Sequence, residues 1–215
     1  MRQALATLGV AMTLVVLTLV AGLAGTAAAA TAKPDAHDRA LALALAAKVS
    51  AFQDISSASG DSKVLDHCAY LKKHPNDAFA AVFAILPALL AIVVNEYRTQ
   101  LTDVSTTIAG MHPDSPLFSQ WLTAEGQDID LILRFDNHGK KVDLCAAAQL
   151  MLSKTATAAQ IKRVLGLDPA LIGLLFSKQA TAISNTISKL NPQMRTFLLA
   201  AGVARKDAVQ LTSNT

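Results

Sequence analysis

His67, Tyr70 and His74 are the residues whose types and spacing come nearest to a chemical site. Spaced i, i+3 and i+7, they fall on one side of a helix. Imidazole and phenolate both ligate haem iron, and imidazole also binds zinc or copper. The trio is therefore the candidate ligand-binding cluster, haem is the cofactor it would suit, and the identity of any metal is unknown. A solvated face of Lys, His and Tyr is the ordinary alternative, and His74 stands beside Pro75, where a helix must end.

Cys68 and Cys145 are the only cysteines. Outside the cytoplasm an even count reads as a bridge before it reads as a metal site or a nucleophile. A Cys68–Cys145 crosslink would contribute about 4 kcal/mol in the chain-entropy description. Neither position advertises the partner base and orienting group that a nucleophilic thiolate needs.

Other reactive side chains are scattered. His112 and His138 lie in breaker segments beside Pro113 and Gly139, and Met111-His112 lacks a third ligand by spacing. Glu96 reads as a solvating group near Arg98, and Asp103, Asp128 and Asp130 are the other carboxylates of interest. Asp128 and Asp130 fall on opposite sides of their helix, which argues against a paired-carboxylate site. G-x-S-x-G, H-E-x-x-H, phosphate-loop and EF-hand patterns are absent from the sequence. No catalytic residue is assigned, and the reading leans away from an enzyme.

The elements that must carry these residues begin after the first thirty positions. Arg2, an uncharged apolar stretch over Ala4–Ala24 and small residues up to Ala30 form the pattern of a secretory signal peptide over residues 1–30. A retained anchor is the alternative, since the stretch is long enough to span a bilayer. Loss of Arg2 would leave 18 basic against 16 acidic residues, a balance of +2. With no basic run longer than Lys72-Lys73 or Lys140-Lys141, the footprint of nucleic-acid binding is missing.

Of the 215 residues 52% are hydrophobic and 16% charged, which excludes a disordered chain. Much of the surplus is alanine, which suits close-packed helices. Asp35 opens a helix with the stripe Leu41, Leu45, Val49, Phe52 and Ile55, ended by the linker 56–60. A second helix carries Val64, Leu65, Cys68 and Leu71. From Ala78 to Val94 the chain bears no charge, and this segment is expected as a buried central helix rather than a membrane span. Leu101, Val104 and Ile108 continue it on one face.

Ser115-Pro116 predicts a capped start, with Leu117, Phe118, Trp121 and Leu122 buried. A further apolar cluster from Ile129 to Phe135 stops at Asn137-His138-Gly139. Asp143 and the Thr157/Gln160 pair predict two more N-caps. Asp168-Pro169 predicts a helix to about Leu190, Asn191-Pro192 another to Ala201, and the tail 206–215 reads as flexible.

Three short matches recur in order. Asp66-x-Cys68-Ala69 is echoed at Asp143-x-Cys145-Ala146, and Pro87-Ala88-Leu89-Leu90 at Pro169-Ala170-Leu171-Ile172. Thr107-Ile108-x-x-Met111-His112-Pro113 is echoed at Thr186-Ile187-x-x-Leu190-Asn191-Pro192, and Phe118 then matches Phe197. The offsets of 77, 82 and 79 residues suggest repeats over 61–120 and 140–202. Chance recurrence in Ala/Leu-rich helices is the competing explanation.

The sequence thus predicts an all-α bundle of about seven to nine helices with one disulfide, a single domain over residues 31–205. It reads as a secreted or cell-envelope protein, non-catalytic, holding an apolar small molecule such as a lipid or porphyrin in a helical seam. The alternative is a structural or interaction module of the envelope with no ligand. Nucleic acid is not an expected partner, membrane association is not favoured, and oligomeric state is not read.

Overall fold

The structure, a computed structural model, describes residues 33–58, 78–153 and 155–213. Among the described residues it is all-helical and compact, with eight helices and no strand. Three expectations fall outside them: the signal segment 1–30, the second helix around Val64–Leu71, and the cluster His67, Tyr70 and His74 together with Cys68.

Helix α1 (Ala36–Ala58) starts where Asp35 accepts the Asp38 N–H at 2.7 Å. Its apolar stripe places Ala42, Leu45 and Ala46 in the core, with Leu41 and Val49 partly covered.

Helix α2 (Ala78–Ala109) joins the uncharged segment to the amphipathic one that follows. Pro87 lies inside it without ending it, and the break in regular geometry comes at Tyr97 (φ −111°, ψ 18°). On the N-terminal side of that kink, Leu86, Ala88, Leu90, Ala91 and Val94 are each at most 4% exposed. They are covered by the rest of the fold, as expected for a central helix. Among the described residues no helix is long and apolar enough to cross a membrane.

Helix α3 (Pro116–Leu133) is one continuous element that joins the apolar cluster around Phe118 and Trp121 to the one beginning at Ile129. Pro116 sits at its first position, but the Ser115 side chain makes no capping bond. Instead the Asp38 carboxylate reaches across from α1 and accepts the N–H groups of Asp114 (2.9 Å) and Ser115 (3.1 Å). A carboxylate placed there also meets the positive end of the helix dipole. The stop comes as anticipated, with His138 (φ 56°) and Gly139 (φ 75°) in left-handed conformation.

The two predicted caps are formed. Asp143 accepts from the N–H groups of Cys145 and Ala146 at the start of α4 (Leu144–Leu152). Thr157 and Gln160 make a reciprocal capping box for α5 (Ala158–Leu165).

The remaining helices divide differently from expectation. α6 (Ala170–Leu175) ends early, because Ser177 caps a new helix by accepting the Ala180 N–H at 3.1 Å. α7 (Lys178–Ala201) then runs through Pro192. Asn191 does not cap a helix there, because its side chain is engaged by Trp121. The segment read as a flexible tail forms α8 (Arg205–Leu211), held by Arg195, which donates to the Thr212 hydroxyl and carbonyl at 2.8 and 2.9 Å. Ala208, on the inner face of α8, is fully buried.

The core has three parts. One gathers around the first half of α2 with the end of α3 and the short helices α4 to α6. A second gathers α1, the end of α2, the start of α3, the end of α7 and α8 around Phe118, Trp121 and Phe197. A third, smaller, sits between α3 and α7 with Leu131, Ile183 and Ile187. Each large apolar side chain removed from water contributes about 1.5–3 kcal/mol. The expected disulfide is not seen: no disulfide joins described residues, and of the two cysteines Cys145 alone is described.

Candidate functional site

Cys145 is the second residue of α4, half-buried, its backbone N–H bound to Asp143 Oδ1 at 3.0 Å. The structure does not bring the other sequence candidates together. His112 and His138 are exposed in separate loops, and the His112 carbonyl is hydrogen-bonded to His37 Nε2 at 3.1 Å. His138 lies beside Asp136, which also pairs with Arg98 at 2.9 Å. Glu96 is exposed. Asp103 pairs with Lys48 at the surface (2.6 Å), and Asp130 accepts from the Ser105 hydroxyl (2.8 Å). Among the described residues no three potential metal-ligating side chains converge.

The polar cluster that does form lies where α3 packs on α7. These helices run antiparallel: the Phe118 and Phe197 rings meet at 5.5 Å and Trp121 Nε1 donates to Asn191 Oδ1 at 2.8 Å near one end. Leu131 shares a cluster with Ala180 and Ile183 near the other. Between those ends, Glu125 and Asp128 are 7% and 3% exposed. The register places Glu125 level with Ser188 and Asp128 level with Ser184, itself 4% exposed. Glu125 Oε1 and Ser184 Oγ are buried with no hydrogen-bond partner.

A carboxylate removed from water without a counter-charge strongly favours its neutral form. Burial pushes the Asp128 carboxyl up to about 7. Burial, and secondarily the charge of Asp128, holds Glu125 well above the usual carboxylate range. Around neutral pH the pair therefore holds protons that ordinary surface carboxyls have lost.

Sequence reasoning recognised Asp128 as facing away from Asp130 but passed over Glu125. A signal was present: Trp121, Glu125, Asp128 and Ile132 follow one another at i, i+4, i+7 and i+11, a single helical stripe. Continuing the apolar face of Phe118, Trp121 and Leu122 by one turn carries it through both carboxyls.

The other notable surface surrounds the first half of α2. Leu89, Ile92, Val93, Met151, Leu171 and Ile172 are only partly buried there, against the core formed with α4 to α6. The chain enters this region at Ala78, four residues after His74. Comparison with family models, curated proteins and solved structures finds no match to this chain.

Proposed function

We propose that this chain is an exported, non-catalytic binding protein that carries an apolar small molecule, a lipid or porphyrin, against the first half of α2. The observation that carries the reading is the concentration of half-covered Leu, Ile, Val and Met side chains where α2 meets the short helices α4 to α6. Such side chains gain by burial against a ligand, and sites between helices are a common place for one. His67, Tyr70 and His74 precede α2 directly in the chain and supply the side-chain types that would ligate a haem iron. The signal-like first thirty residues support export, and a Cys68–Cys145 bridge would suit an oxidising compartment. Intact mass measured without reductant tests that bridge: full alkylation of both thiols would remove it.

The ligand reading is tested on protein purified from the extracytoplasmic fraction of an expressing cell. Organic extraction with mass spectrometry would identify a retained lipid, and titration with haemin or a fluorescent fatty acid would reveal saturable one-to-one binding. Leu89→Asp and Ile172→Asp are expected to weaken that binding at least tenfold. Empty protein that binds neither probe saturably would overturn the reading. That outcome would favour the second reading, an envelope interaction module without ligand, which draws on the exposed Phe176 (58%), Leu43 (48%) and Leu199 (44%).

A further inference from the structure

We propose that Glu125 and Asp128 form a proton-operated latch between α3 and α7, closed while the pair is protonated and loosened when it ionises. The placement is independent of any ligand. Both carboxyls lie on the α3 face that packs on α7, one turn apart, between the Trp121–Asn191 contact and the Leu131–Ile183 cluster. The α7 side offers Ser184 and Ser188 at the same level, neutral groups that can hydrogen-bond a carboxylic acid but cannot neutralise a carboxylate.

No cation on the packed elements, among the described residues, is placed to compensate the pair. On α7, Lys178 and Lys189 are exposed and Arg195 is committed to Thr212. On α2, the buried face towards α3 is Leu101, Val104 and Ile108, with the Tyr97 phenol buried further back. Its charged groups point elsewhere: Glu96 is exposed, Arg98 pairs with Asp136, and Asp103 pairs with Lys48. On α3 itself Asp130 is exposed and bonded to Ser105, and Arg134, which follows its last turn, is exposed. A first negative charge in this seam would be unpaired, and a second would repel the first.

The fold carries its own reporter. Trp121 is the single tryptophan, one turn before Glu125, with its indole N–H bonded across the same seam. In the full chain, Trp121 emission and thermal unfolding are followed from pH 5 to pH 9. Wild type is expected to shift its emission to longer wavelength as pH rises, with Tm falling by about 5 °C or more. The Glu125→Gln/Asp128→Asn pair should abolish most of both changes, while Ser184→Ala should keep them. Should the double variant not fold, difference infrared spectroscopy on wild type reads the same groups directly. A protonated-carboxyl C=O band present at pH 5.5 and lost by pH 9 supports the latch. A wild-type emission and Tm flat across this range, a double variant with the wild-type pH response, or no such infrared band would each overturn it.

Discussion

Trp121 and Asn191 hold α3 to α7 through one buried hydrogen bond, indole N–H to Oδ1 at 2.8 Å, with the two residues 2% and 5% exposed. The bond fixes the antiparallel register that sets Glu125 and Asp128 level with the serines of α7. It also explains why α7 passes through Asn191-Pro192 without interruption: the side chain that could have capped a new helix is already bound to the indole.

Removing the acceptor leaves a buried N–H unsatisfied, which costs more than the bond itself contributes. Asn191→Ala is therefore expected to lower unfolding stability by about 1–3 kcal/mol. Urea denaturation followed by far-UV circular dichroism measures this. Trp121→Phe, which removes the donor while keeping an aromatic ring, should make the Asn191 substitution much less costly. Equal costs of Asn191→Ala in the two backgrounds would refute the coupling.

Asp38 joins α1 to the start of α3 by accepting two backbone N–H groups seventy-six and seventy-seven residues away. The residue is 2% exposed, so water does not replace the lost acceptor. Asp38→Ala is expected to destabilise the fold by about 1–3 kcal/mol. Hydrogen exchange gives the local signature, with faster exchange at the Asp114 and Ser115 amides. Unchanged protection there would contradict the assigned role, whatever the global stability.

Local patterns of the fold were legible because short-range physics decides them. Asp143, the Thr157/Gln160 box, and the left-handed stop at His138-Gly139 all depend on residues within one turn of each other. The misread elements depend on partners far away in the chain. Asn191 looks like a helix start until Trp121 is placed beside it. Likewise, Ser115 looks like a cap until Asp38 supplies the acceptor from α1. Residues 205–211 carry too weak an apolar pattern to announce α8, which is held by Arg195 and by Ala208 packing into the core. Glu125 is concealed for a different reason. Burial of a carboxyl runs against composition-level expectation, and only strict helical periodicity exposes it.

Gly166 and Gly202 end α5 and α7 with φ of 71° and 95°, yet their surroundings differ. A Cβ on Gly166 would lie 2.8 Å from Lys140 Cδ and 3.5 Å from Asn137 Cβ, whereas nothing stands within 4 Å of one on Gly202. Both alanine substitutions incur left-handed strain of about 1 kcal/mol. Gly166→Ala must in addition displace the Lys140 chain from its place over the loop. Thermal denaturation of the two variants should therefore rank Gly166→Ala as the more damaging. The reverse order would show that the loop around Asn137 yields more easily than its packing implies.

Asp128 gives the fold a stability slope of defined sign. Its folded value of about 7 lies above the ordinary 3.8, so between these limits the native state binds more protons than the unfolded chain. The contribution of the neutral acid is complete below the unfolded value and is lost as pH rises through about 7. Asn at this position is neutral throughout and carries no such slope. The stability of wild type relative to Asp128→Asn should therefore fall between pH 4 and pH 8 by up to roughly 4 kcal/mol. Denaturant titrations of both proteins at several pH values measure the difference directly. A difference that stays level, or that grows as pH rises, would mean that Asp128 is ionised in the folded state and that the seam contains a counter-charge.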